Sequence, residues 1–340
     1  MRFASYLRLL AVALLQAPFA AATESGFQLE TFTDSRRDRP VLIDWWYPVE
    51  QASASAFNYG LGAGRVVEAG TVAKGPFPLI LLSHGALGAA RNYSWIAEAL
   101  ARSGYIVAGV SHYGESYVFG AGTVDPQAVL RHWERPADIS AAIDHITSAS
   151  GFRHAIDPQR IGFLGHSSGG ATALQLAGAR LDSQQMGSYC ASPRSASDRG
   201  CDYADGVDDA IEPTDRMAPS PQQSYQDDRL RAFVALDPAL GPAFNDYSMI
   251  PADLPILLIA STDNDFLPFE HYAEVIAKGL PQAQTHWLGA GEGHFVYLNQ
   301  CQRDIAANGV ALCRDRPGVS RSATHQTLQQ HIIAFFRNAL

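Results

Sequence analysis

The run RIGFLGHSSGGATALQLAGA, residues 160–179, reads as a strand, a tight turn and a helix in direct succession. Arg160 to Leu164 is a short apolar run of the kind that forms a buried strand, and Ala171 to Ala177 is small, apolar and helix-forming. Between them Gly165-His166-Ser167-Ser168-Gly169 satisfies G-x-S-x-G. The glycines permit a strained turn that thrusts a serine hydroxyl off the end of a sheet, at the N-terminus of the next helix. Ser167 is therefore the expected nucleophile, while Ser168 lies outside the glycine frame and its side chain is expected to point into the helix.

Outward from this turn the same alternation continues in both directions. PFPLILLSHG, with Leu79 to Leu82 unbroken, suits a parallel strand covered on both faces. NYSWIAEALARSGY follows with Trp95, Ile96, Ala99 and Leu100 on one helical face and Gly104 as its stop. YIVAGVSH is the next strand, and RPADISAAIDHITS carries Ile139, Ala142, Ile143 and Ile146 at helical spacing. Downstream, RAFVALDPALG and LPILLIASTDND are strands, FEHYAEVIAKGL a helix, QTHWLG a short strand, and Ser322 to Asn338 a final helix. Two earlier strands are expected between Phe27 and Pro48, with Trp45, Trp46 and Tyr47 as strand packing, and residues 51–75 as a plain connection. This order predicts one α/β domain, a mostly parallel central sheet with helices on both faces.

The 340 residues are 47% hydrophobic and 17% charged with a formal net charge of -9, which argues against a nucleic-acid or anionic-membrane binder. Arg2 and Arg8, an apolar run and Ala20-Ala21-Ala22 read as a signal peptide over residues 1–22, too short for a stable membrane span. Export implies an oxidising compartment. Cys190–Cys201 and Cys301–Cys313 is then the expected pairing, because it closes the shortest loops. No CxxC spacing suggests zinc, so no metal is expected. Residues 182–228 are polar, acidic and rich in Pro and Gly, and read as an unstructured insertion; their run DYADGVDD does not match an EF-hand.

A serine hydroxyl needs a base within hydrogen-bond reach. His294, in GAGEGH after the last short strand, has a glycine-flanked loop that suits this role. His271, His286, His325 and His331 fall within elements and read as surface or packing residues, and His166 is expected to face away from Ser167. Two backbone donors must hold the oxyanion, here the amides of Ser168 and of Ala86 in SHGALG, with His84 bracing that loop. Tyr113, Phe119 and Trp133 follow strands and are candidates for a pocket wall. For the acid that orients His294, Asp237 in ALDP and Asp263 and Asp265 in STDND all lie at strand ends.

In order, SHGALGAARNYSWIAEALARSGYIVAGVSH, GHSSGG, ALDP and GEGH resemble the platelet-activating-factor acetylhydrolase and dienelactone-hydrolase-like families of serine α/β-hydrolases. The resemblance runs from about Val41 onward. It implies the α/β-hydrolase fold and an esterase that uses Ser, His and Asp without a cofactor. It also implies that the acid follows the earlier strand, which selects Asp237 and leaves Asp263 as the alternative. Dienelactone hydrolases proper use a cysteine where this chain has Ser167, and the acetylhydrolases lack the 182–228 insertion. The expectation is an exported serine hydrolase acting on small-molecule or lipid carboxylic esters, with a peptidase or amidase on the same triad, or a binding protein on a hydrolase scaffold, as rivals.

Overall fold

A computed structural model describes residues 24–50, 53–203, 223–307 and 309–340. The expected signal peptide and the middle of the 182–228 insertion lie outside the described residues. In chain order the strands are β1 (Glu24–Asp34), β2 (Arg39–Val49), β3 (Ser55–Asn58), β4 (Ala63–Glu68), β5 (Phe77–Ser83) and β6 (Ile106–Ser111). They continue with β7 (Ile156–His166), β8 (Arg180–Leu181), β9 (Leu230–Leu236), β10 (Phe244–Asp246), β11 (Ile256–Ser261) and β12 (Gln284–Leu288). The α-helices are α1 (Ser94–Arg102), α2 (Glu134–Ser148), α3 (Ser168–Ala177), α4 (Ser183–Cys190), α5 (Ala273–Gly279) and α6 (Arg321–Ala339).

The main sheet runs β12-β11-β9-β7-β5-β6-β2-β1-β4-β3. From β6 to β12 every neighbour pairs in parallel, and β2 is antiparallel to both β6 and β1. Strict alternation along β5 divides the core. Leu79 and Leu81 face one cluster with Ile139 of α2, Leu174 of α3 and Ile276 of α5. Ile80 and Leu82 face the other, with Ile96 of α1 and Leu328 of α6. A strand buried on both faces gains from apolar side chains at every position, which is why these strands read as unbroken runs. Trp45, Trp46 and Tyr47 are fully buried; Trp45 stacks on Phe152 at 4.3 Å, and the Trp46 indole N–H donates to the Tyr59 hydroxyl at 3.0 Å.

Two expectations need correction. Residues 51–75 are not a plain connection: β3 and β4 form a hairpin that extends the sheet beside β1. Most of their side chains are exposed or half-buried, so no apolar period marks them. The described start of the insertion is not irregular either. Asp182 caps α4 by accepting the Gln184 N–H at 2.9 Å.

The parallel strands all end on one edge. Ser83 pairs with Gly165 and His166 with Leu236, so the ends of β5, β7 and β9 are level. Loops leaving this edge converge, as expected for an open α/β sheet.

Candidate active site

At the end of β7 the chain turns into α3 through Ser167, whose φ of 56° and ψ of -116° lie where side-chain-bearing residues are strained. Its neighbours must be glycines for contact reasons. A Cβ on Gly165 would strike the backbone of Gly169, and one on Gly169 would strike the Ser83 carbonyl. One on Gly170 would sit 2.8 Å from the Pro238 Cα. The turn is held from the next strand, since Ser167 N–H donates to Leu236 O at 2.9 Å and Ala239 N–H to Ser167 O at 3.0 Å.

His294 opens a short 3-10 turn after β12, and its Nε2 lies 3.0 Å from Ser167 Oγ. Its other ring nitrogen, Nδ1, faces Asp237 Oδ2 at 3.5 Å and the Asn264 amide nitrogen at 3.2 Å. Asp237 ends β9 at a φ of 39° and is 2% exposed, with Oδ1 accepting the Ser261 N–H at 2.8 Å. Burial pushes its carboxyl above the usual range, against the opposing pull of His294 and the Ser261 N–H. Asn264 cannot flip freely, because its oxygen accepts from the N–H groups of Phe266 at 2.9 Å and Leu267 at 2.8 Å. Its NH2 therefore faces the imidazole. Each tautomer of His294 thus has one partner at Nδ1. Protonated there, the ring turns its N–H towards Asp237 Oδ2, a buried oxygen with no hydrogen bond of its own; unprotonated, it accepts from Asn264. Only the first leaves a lone pair on Nε2 for the Ser167 proton.

The other aspartates do not reach the ring. Asp263 is exposed, and its backbone carbonyl accepts from Arg316 at 2.7 Å. Its place as the alternative acid is a correction: the chain past β11 turns its side chain outward and presents Asn264 instead. Asp265 accepts the backbone N–H of His294 at 2.9 Å and so holds the loop, not the imidazole. His166 does not simply face away from the site. Its Nε2 donates to the His294 carbonyl at 3.0 Å, and its Nδ1 accepts from the Tyr93 hydroxyl at 2.8 Å. Burial holds it well below its ordinary pKa, so it is neutral. Ligand atoms of His166, Asp237 and His294 lie within 4.8 Å of one another, close enough to grip a cation. Both nitrogens of His166 are already hydrogen-bonded, however, and a cation would have to displace those bonds and the one from His294 to Ser167.

Ala86 and Ser168 line a cavity of about 520 Å³ together with Ser167 and His294. His84 is buried beneath the loop: its Nδ1 donates to Gly85 O at 2.7 Å, and its Nε2 accepts from His112 N–H at 3.1 Å. Within this loop Gly85 N–H donates to the Tyr93 hydroxyl at 3.0 Å and Gly88 N–H to Gly85 O at 3.2 Å. The Ala86 N–H has no partner among the described residues.

Tyr113, Phe119 and Trp133 do not line the cavity. Tyr113 and Phe119 pack on each other at 5.4 Å, and Trp133 is buried in the fold. Their near neighbours Tyr117 and His132 form the wall instead, a difference of a few residues that the loop's path decides. Both disulfides, Cys190–Cys201 and Cys301–Cys313, are formed. Each closes a segment that walls the cavity: Gly200 from the first, and Ile305, Val310 and Leu312 from the second. Among the described residues no Asp or Glu lines it. No helix among them is long and apolar enough to cross a membrane.

A bis(hydroxyethyl) terephthalate hydrolase from Streptomyces coelicolor is 27% identical over 136 residues, 39% of this chain and 39% of that protein. Cutinase 2 from Thermobifida cellulosilytica is 26% identical over 140 residues, 40% of this chain and 47% of that protein. The chain therefore spans less than half the length of these curated relatives. In three dimensions a ferulic acid esterase from Streptomyces cinnamoneus shares the fold, with a TM-score of 0.59 at 19% identity over 96% of this chain and 92% of that one. Residues 79–307, more than half of the chain and the stretch that holds Ser167, Asp237 and His294, match the Alpha/beta hydrolase family, and the chain belongs to that family.

Proposed function

We propose that the protein is an exported serine hydrolase that cleaves small carboxylic esters. The observation that carries this reading is the line Ser167 Oγ, His294 Nε2, His294 Nδ1, Asp237 Oδ2 at the foot of an apolar cavity. Ser167 attacks the ester carbonyl while His294 takes its proton, and Asp237 stabilises the imidazolium as it forms. The amides of Ala86 and Ser168 receive the oxyanion, each such donor being worth about 3 kcal/mol of barrier. The alcohol departs with the proton from His294, and water then attacks the acyl-serine by the same route.

The cavity supports a substrate class. Among the described residues the lining is mostly apolar, with Arg135 and Arg303 but no Asp or Glu, which favours an ester with an apolar acyl or aryl group and no positive charge. Ser167 is only 7% exposed, which favours a substrate that enters the cavity over the surface of a polymer. The names of the bis(hydroxyethyl) terephthalate hydrolase and the cutinase support ester cleavage, the first of a small aryl diester. Two formed disulfides support export to an oxidising compartment.

A fluorophosphonate probe should label Ser167 in the folded protein, and Ser167→Ala should abolish labelling. Against p-nitrophenyl esters of rising chain length, turnover is expected for short to medium acyl groups and not for a matched anilide. An sn-2-acetyl glycerophospholipid tests the narrower acetylhydrolase reading. Unlabelled Ser167 together with no turnover on any ester would sink the proposal.

A further inference from the structure

Beneath the loop that holds Ala86 lies an ion pair that the ester chemistry has not yet used. Arg135, in the first turn of α2, sends Nε to Glu115 Oε1 at 2.7 Å and Nη2 to Glu115 Oε2 at 2.6 Å. Its remaining arm, Nη1, donates to the His84 carbonyl at 2.6 Å and approaches Ser83 Oγ at 3.4 Å. Arg135 is 2% exposed and Glu115 3%. Burial pushes the Glu115 carboxyl up, but Arg135 outweighs it and holds the acid below its usual range, with the Leu87 backbone adding to that pull. Each of the three Arg135 nitrogens already has a partner, so the fork is engaged mainly within the protein.

The pair supports one stretch of backbone. Arg135 holds the carbonyl just before Gly85, Glu115 fixes the Arg135 fork from the other side, and Leu87, two residues beyond Gly85, has a φ of 55°. Tyr93 takes the Gly85 N–H. The peptide that follows the one they hold carries the Ala86 N–H, which has no partner of its own among the described residues. A buried ion pair returns little net stability, because desolvating two charges offsets their attraction. It is well suited to fixing geometry, since a bidentate fork tolerates little displacement.

We propose that Arg135 and Glu115 are positioning residues that clamp residues 84–88 so that the Ala86 N–H stays aimed at the substrate carbonyl. This rests on the ester-hydrolysis reading, and the experiment separates the two. Arg135→Lys keeps the charge but loses the fork; Glu115→Gln keeps the shape but loses the charge. For each, kcat and KM on p-nitrophenyl butyrate are measured beside the melting temperature. The inhibition constant of a trifluoromethyl ketone, whose tetrahedral adduct on Ser167 carries an oxyanion, completes the set. A misplaced donor should lower kcat about 100-fold and weaken the ketone in proportion, with KM little changed. A folded variant with normal kcat overturns the proposal, and so does one whose kcat falls while ketone affinity stays. If Arg135→Lys does not fold, the same two outcomes are read from Glu115→Gln alone. A wild-type protein that neither cleaves the ester nor binds the ketone removes the ester reading itself, and the clamp with it.

Discussion

His294 Nδ1 has two neighbours and can serve only one at a time, so the state of a single proton separates a reactive ring from an idle one. Asp237→Asn removes the acceptor and leaves two carboxamides facing Nδ1. Turnover on a p-nitrophenyl ester should fall about 10,000-fold, as expected when the wrong tautomer is favoured, while Asp263→Asn should be mild. The same geometry makes a sharper prediction. Asn264→Asp, added to Asp237→Asn, places a carboxylate back beside Nδ1 and should recover part of the lost kcat; no recovery would show that Asn264 cannot stand in. Ser167 and His294 were legible in the sequence because local glycine patterns mark their turns. Asp237 is ambiguous in the sequence because β9 and β11 are adjacent parallel strands that both end on the same edge of the sheet, and only the resemblance chooses between them. Asn264 was invisible. Its meaning lies in two backbone N–H groups that fix its amide, and nothing in STDND announces them.

Elements differ in how plainly they advertise themselves. β5 and β11, together with β7 from Ile161 and β9 from Ala232, are buried on both faces, and their apolar runs are plain in the sequence. The β3–β4 hairpin rides on the sheet's edge with few buried side chains, so composition alone hid it. The walls of the cavity are also out of reach of the sequence, since they come from segments far apart in the chain, two of them short loops each closed by its own disulfide. That dependence is testable. Replacing Cys301 and Cys313 with serine should destabilise the protein by up to about 3 kcal/mol, seen as a lower melting temperature. It should also impair turnover of bulky esters more than of acetate, because Ile305, Val310 and Leu312 lose their staple. Equal losses on both substrates would count against a shaping role for this loop.

Across the whole molecule, burial sets the response to acid. His132 and His325 are buried and titrate in the fold at about 4, down from 6.5, chiefly because burial disfavours their charged forms. Between those values the unfolded chain binds more protons than the fold, so stability rises with pH across this window and is lost as pH falls through it. Each contributes on the order of 3 kcal/mol to that loss. Asp138, ringed by Arg37, Arg39 and His112, behaves differently. Burial opposes its charge, yet these partners hold its pKa to about 2, so its contribution is present above 3.8 and disappears only as pH falls towards 2. The melting temperature should therefore drop between pH 6.5 and 4, before Asp138 is involved. His325→Gln, which keeps a donor for the Val296 carbonyl, should flatten that slope; an unchanged slope would place the titration elsewhere.

The strained backbone at Ser167 has one more consequence. Glycine adopts a φ of 56° without steric cost, whereas serine is held there at roughly 1–3 kcal/mol. Even after the extra chain entropy of glycine, Ser167→Gly should melt higher than the wild type while cleaving nothing. A directed-evolution screen scored on heat resistance alone would then reward the loss of the nucleophile, and any such library for this protein needs an activity gate at every round.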